Sequence, residues 1–234
     1  MIEDDALLVV GAGGALASLA AADGVPAPVG AVPGGLAAAA ASPTGDAVAL
    51  VTTGGRLLLL AGPCGGWAPL ADVDAFGWDA EPVPSRVMPP PQTFDPASHS
   101  LSPGDAALSW KGDGTGVATV LRAAPNTPFA LRSHAAPSGD LDAVGEGGPA
   151  LTGCVAWAPD GRHMYAAVAG DGADAPKIAL FEPNGMRHGH FDAPGAGAVA
   201  ALAWSPGAGV LAVSRAAAAD APAAVQLWRR SNWH

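Results

Sequence analysis

The residues with the plainest capacity for chemistry sit close together. "MRHGHFD", residues 186–192, carries His188 and His190 two apart. In a β-strand residues i and i+2 share a face, so the two imidazoles could reach one metal ion. A zinc site takes three or four protein ligands, and His163 and Asp192 are the local candidates for the rest. No His-Glu-x-x-His and no Cys-x-x-Cys accompanies them. The competing reading is an outer strand with exposed imidazoles, and no metal ligand is assigned.

Other reactive patterns are weaker. Gly11-Ala12-Gly13 begins a dinucleotide fingerprint, but its sixth place is Leu16 and a strand-like run follows where a helix is required. Cys64 lies among glycines in "GPCGGW" with no histidine near it in sequence, as a nucleophile would need. Cys64 and Cys154 are 90 residues apart and read as small hydrophobes in a reducing compartment. No Gly-x-Ser-x-Gly occurs. These observations assign no catalytic residue and no cofactor, and predict a protein that is not an enzyme.

The seven tryptophans could stack on bases. Phosphate binding, however, needs clustered Lys and Arg. The chain has 11 of these against 21 Asp and Glu, a net charge of −10, and no basic run. Direct binding to DNA or RNA is not expected. The acidic surface implies solubility or a basic partner. The apolar stretch 6–22 is alanine-rich and interrupted by glycines, too weak for a membrane span. The start, Met-Ile-Glu-Asp-Asp, lacks the basic residues of a secretory leader. The expected location is the cytoplasm, with the nucleus as a second compartment.

The tryptophans recur for another reason. "LSWKGDGTGVATVL" (108–121), "VAWAPDGRHMYAAVAG" (155–170) and "LAWSPGAGVLAVSR" (202–215) share one pattern: an apolar run, a polar corner ending in Gly, and a second apolar run. Trp110, Trp157 and Trp204 occupy the same place, 47 residues apart each time, and are read as core positions with Trp228. "AAASPTGDAVALVTTGGRLLLL" (39–60) is a fourth copy with Ala41 in that place. Pro and Gly set the corners. "VAALAW" (199–204) reads as a strand buried on both faces. In the copy from 151, "KIALFE" supplies a third strand. "MRHGHFD" supplies a fourth across an Asn-Gly corner, the strongest short hairpin signal.

A four-stranded repeat of this length marks a β-propeller blade. The chain is therefore all-β, a partial β-propeller of about four four-stranded blades, some incomplete. Blade parts are placed at about 1–35, 36–77, 106–150, 151–197 and 198–234. A Pro-rich surface loop is placed at 78–105, around Pro89-Pro90-Pro91. Within 122–150 only "FALRSH" is a strand candidate, and the rest is read as loop. So few blades, and an end in mid-hairpin, predict a piece of a larger propeller cut at both ends.

The order of these segments resembles the amino-terminal WD-repeat region of the Elongator complex subunit 1 family. The most specific stretch is Phe181-Glu182-x-Asn184-Gly185-x-Arg187-His188-Gly189-x-Phe191. Val225-Gln226-Leu227-Trp228 followed by Asn232-aromatic-His234 is the second. The family's Arg-x-x-x-Trp pattern in the third strand after Trp110 is missing here. The resemblance implies a non-catalytic scaffold within a complex that modifies wobble uridines of tRNA. Its implied partners are the other Elongator subunits, a catalytic acetyltransferase-like subunit and a WD-repeat subunit, with tRNA reached only through the complex. A generic WD-repeat interaction module of another pathway is the alternative reading.

Overall fold

The structure, a computed structural model, describes residues 6–11, 13–20, 25–62, 67–77, 93–146, 150–170, 175–219 and 221–230. Eighteen strands make up five antiparallel sheets among these residues. The first sheet holds β1 (Ala6–Val10), β2 (Ala15–Ala20) and β3 (Pro26–Ala31). The second holds β4 (Leu36–Ala41), β5 (Ala47–Thr52), β6 (Arg56–Ala61) and β7 (Ala68–Asp74). The third holds β8 (Ala106–Trp110), β9 (Gly116–Leu121), β10 (Ala130–Ala135) and β11 (Leu141–Val144). The fourth holds β12 (Leu151–Trp157), β13 (Met164–Val168), β14 (Lys177–Phe181) and β15 (Arg187–Asp192). The fifth holds β16 (Val199–Trp204), β17 (Val210–Arg215) and β18 (Ala224–Arg229). Within each sheet the strands pair in chain order, as propeller blades do.

The corner after each inner strand explains the repeat. Gly45, Gly114 and Gly161 have φ of 77°, 74° and 71°, and each donates its N–H to the carbonyl three residues back. In the fifth sheet the same place is Ala208, at φ 53° with the same hydrogen bond to Ser205. A side chain there occupies the left-handed region that glycine enters without strain.

The core lies between the sheets. Leu57, Leu59, Phe76, Trp110 and Val117 pack where the second sheet meets the third. Leu131, Trp157, Met164 and Phe181 fill the space between the third and fourth. Tyr165, Ile178, Leu211 and Val213 do so between the fourth and fifth. Strands such as β9 and β13 are buried at every residue, which accounts for their largely apolar sequences. Neighbouring inner strands are tied by specific bonds. The Trp110 indole donates to the Ala40 carbonyl at 2.9 Å, and the Trp157 amide donates to the Ser109 hydroxyl at 2.8 Å.

Four expectations are revised. First, residues 6–20 read in sequence as two strands of an incomplete blade, and a third, β3, joins them despite Pro26 and Pro28, because it is an edge strand, where proline is tolerated. Second, 122–150 yields two strands, the second being the four-residue β11. Third, residues 93–105 of the Pro-rich segment are not simply surface. Leu101 is buried and donates its amide to the Thr53 carbonyl, and Phe94 stacks on Phe76 at 4.9 Å. Residues 78–92, with the triple proline, lie outside the described residues. Fourth, β16 is not buried on both faces: Ala200, Ala201 and Ala203 are exposed, because only the fourth sheet covers it.

Candidate functional site

The three repeat tryptophans share a sequence position but not an environment. Trp110 and Trp157 are buried at 6% exposure. Trp204 is half-buried, its ring edge-on to Tyr165 at 5.0 Å. Trp228 is also half-buried, 5.2 Å from Phe191. Reading all four as core positions therefore holds for two. The other two belong to a seam of rings, between the fourth and fifth sheets, that reaches the surface.

The Phe181–Phe191 stretch is a hairpin that grips the neighbouring blade. Phe181 is fully buried. The Asn184 side-chain oxygen accepts the Met186 amide at 3.0 Å, an Asx turn. Gly185 sits at φ 83°, and a Cβ there would lie 2.2 Å from the Val144 carbonyl oxygen. That close approach lets the Gly185 carbonyl accept the Glu146 amide at 2.8 Å. The Glu146 carboxylate in turn accepts the Arg187 amide at 3.1 Å. Gly189, by contrast, has open space around its Cβ position.

The histidines divide. His188 lies at the bulge of β15, its Nδ1 3.4 Å from the Glu182 carboxylate and its ring 5.0 Å from His163. His190 meets the Arg187 guanidinium at 3.1 Å. Burial pushes His163 below the usual imidazole range. The charges of His188 and Arg230 add to the shift, and Asp160 and Glu182 oppose it. Among the described residues, no group of three or more His, Cys, Asp or Glu side chains is placed to hold a metal ion. Cys154 is buried and forms no disulfide among the described residues, its thiol donating to the Val199 carbonyl at 3.4 Å, with burial pushing its pKa up. Cys64 and the Asn232–His234 part of the second motif lie outside the described residues.

What the arrangement offers is a surface. In sheets two to four a fourth strand covers the outer edge, whereas β18 is the edge of the fifth sheet among the described residues. On it Val225 and Leu227 are 66% and 72% exposed. An edge strand with exposed aliphatic side chains is a ready template for another strand or a partner.

Comparison with known proteins decides the family. The family model described as ELP1 first N-terminal beta-propeller matches residues 89–234, more than half of the chain. The chain belongs to this family. Elongator complex protein 1 of Schizosaccharomyces pombe is 29% identical over 152 residues, covering 62% of this chain and 11% of that protein. Elongator complex protein 1 of Arabidopsis thaliana is 28% identical over 171 residues, 70% of this chain and 12% of that one. The chain thus spans about a tenth of the length of the curated relatives it matches. Among solved structures, a TolB-type protein of Agrobacterium tumefaciens superposes with a TM-score of 0.59. It is 17% identical, with 98% of this chain and 74% of that one covered. TolB of Acinetobacter baumannii gives 0.55 at 14% identity, over 98% of this chain and 51% of that one. At such identities the structures share the fold alone.

Sequence reasoning passed over three buried polar residues of this propeller. Arg132, His134 and Arg215 are at most 2% exposed. Arg215 follows the alternating buried face of β17, whereas β10 is buried on both faces where Arg132 and His134 lie. Their polar type argued for the surface, and only the packing of the next sheet overrides it.

Proposed function

We propose that this chain is a non-catalytic scaffold portion of an Elongator subunit 1-like protein, supporting tRNA wobble-uridine modification by assembling the complex. The observation that carries the reading is the family match over residues 89–234, reinforced by likeness to Elongator complex protein 1 from two distant organisms. The proposed partners are the catalytic acetyltransferase-like subunit and the WD-repeat subunit, with tRNA approached only through them. Cytoplasm, with the nucleus as a second compartment, is the proposed location. The blade parts 1–35, 36–77, 106–150, 151–197 and 198–234 are its proposed units. The edge of β18, with Val225 and Leu227, is the proposed first contact with further structure, since strand addition there would satisfy open backbone groups.

Affinity purification of the tagged parent protein from its own cells tests this. Co-purification of an acetyltransferase-like subunit and a WD-repeat subunit in stable proportion is the expected result. Recovery of other partners without these two would assign the propeller to a different pathway.

A further inference from the structure

Between the outer strands of the second and third sheets lies a cleft of about 480 Å³, bordered by Arg56, Asp74, Gly77, His134, Gly139 and Asp140. Arg132 and His134 are two apart in β10 and face this side together. Arg132 is wholly enclosed, with its guanidinium over the Phe76 ring at 5.4 Å, one residue from Gly77 in the cleft wall. None of its three nitrogens has a hydrogen-bond partner among the described residues. His134, at 1% exposure, contacts the Gly139 carbonyl through Nδ1 at 3.2 Å, and its Nε2 is likewise without a partner.

The contrast with Arg215 is instructive. It is equally buried, and its guanidinium donates to the carbonyls of Ala193, Gly195, Ala196 and Gly197. This fold therefore engages every nitrogen of one enclosed guanidinium and leaves the other without a hydrogen bond among the described residues. A buried cation without hydrogen bonds carries a large desolvation penalty. The Asp74 carboxylate acts on Arg132 through its charge but is engaged with the Phe76 amide at 2.8 Å. Arg56 is already paired with Asp72 at 2.8 Å. The unspent donors belong to Arg132.

We propose that the cleft is a binding site for a small monocarboxylate, whose carboxylate reaches past His134 to pair with Arg132. A guanidinium matches a carboxylate in bidentate geometry. Access needs the His134 ring and the arginine tip to shift, because the nitrogens are closed to solvent. Neutral His134 holds its proton on Nδ1 for the Gly139 carbonyl, so Nε2 is an acceptor that a ligand N–H can fill. Asp74 and Asp140 at the border repel a second negative charge and attract a cationic group. Zwitterions of the amino-acid type therefore fit best, and dicarboxylates and phosphate fit poorly. The volume is that of a small-ligand pocket.

Titration of the full chain with glycine, acetate, succinate and inorganic phosphate, at ionic strength held constant with sodium chloride, tests the site. The readout is the arginine Nε–Hε resonances. Glycine and acetate should saturably shift one arginine resonance, the one missing from Arg132→Met, at concentrations about tenfold below those needed for succinate or phosphate. Removing a buried unpaired charge often leaves a protein as stable or more so, so Arg132→Met is expected to fold and to lose the response. If it does not fold, Asp140→Asn serves, since Asp140 is exposed: the gap between acetate and succinate should narrow. Absence of any saturable shift, an equal response to chloride, a response that survives Arg132→Met, or an unchanged gap in Asp140→Asn would each overturn the proposal.

Discussion

Replacing Trp157 and Trp204 with alanine, one at a time, separates sequence position from environment. Both end an inner strand at the same point of the repeat. Trp157 is buried among β9, β10, β13 and β14, and its indole donates to the Gly161 carbonyl at 3.3 Å. Truncating an aromatic residue in such a core costs about 3–5 kcal/mol, cavity included. That is a large share of the 5–15 kcal/mol by which domains are usually stable. Trp204 lies half-buried in the seam between the fourth and fifth sheets and meets the Tyr165 ring edge-on. Because part of its surface is already in water, its truncation should cost less, about 1–2 kcal/mol. Urea unfolding followed by far-ultraviolet circular dichroism reads both from the shift in midpoint at constant slope. Equal losses for the two variants would refute the argument that burial, and not place in the repeat, sets the worth of the tryptophan. An unchanged midpoint for Trp157→Ala would remove Trp157 from the core.

Other substitutions probe the turns and the histidines. Gly185→Ala should destabilise by at least about 1–3 kcal/mol from its backbone conformation alone, with the Val144 carbonyl in the way, whereas Gly189→Ala should leave the melting temperature within a degree or two. Ala208→Gly should stabilise by about 1 kcal/mol, read by the same urea midpoints, because it relieves a left-handed alanine. Burial lowers the His134 pKa to about 4, with Arg132 adding to the shift and the Gly139 carbonyl opposing it. The unfolded chain therefore takes up this proton near pH 6.5 and the folded chain only near 4. Stability should fall as pH drops through that window and level off below it, by up to about 3 kcal/mol. His134→Gln should flatten the profile, and an unaltered slope would contradict the assignment. The double variant His188→Ala, His190→Ala should fold as the parent does and show the same metal content by mass spectrometry. Zinc bound stoichiometrically to the parent and lost on mutation would contradict the reading of exposed imidazoles.

The repeat was legible because it is written in local chemistry. Corners drawn from Pro, Asp and Gly, preceded in three copies by a tryptophan, determine where strands begin and end whatever surrounds them. Strands that depend on neighbours were not legible. β11, "LDAV", is too short and too polar to announce itself, and β3 carries two prolines that argue against a strand unless it is known to be an edge. β16 is the reverse case, since its apolar sequence describes a buried strand and its exposure follows from which sheets adjoin it. Of the candidate sites, the Asn184-Gly185 corner could be read directly. Its grip on Val144 and Glu146 could not, because those partners are some 40 residues away in sequence. Arg132 and His134 were hidden by the same limit: polar residues signal surface until a second sheet is laid over them.

The most direct measurement is mass spectrometry of tRNA nucleosides after depletion of the parent protein in its own organism. Loss of carboxymethyl-type wobble uridines, restored by the wild-type protein, is the predicted result. Unchanged wobble uridines under confirmed depletion would contradict the scaffold role in tRNA modification.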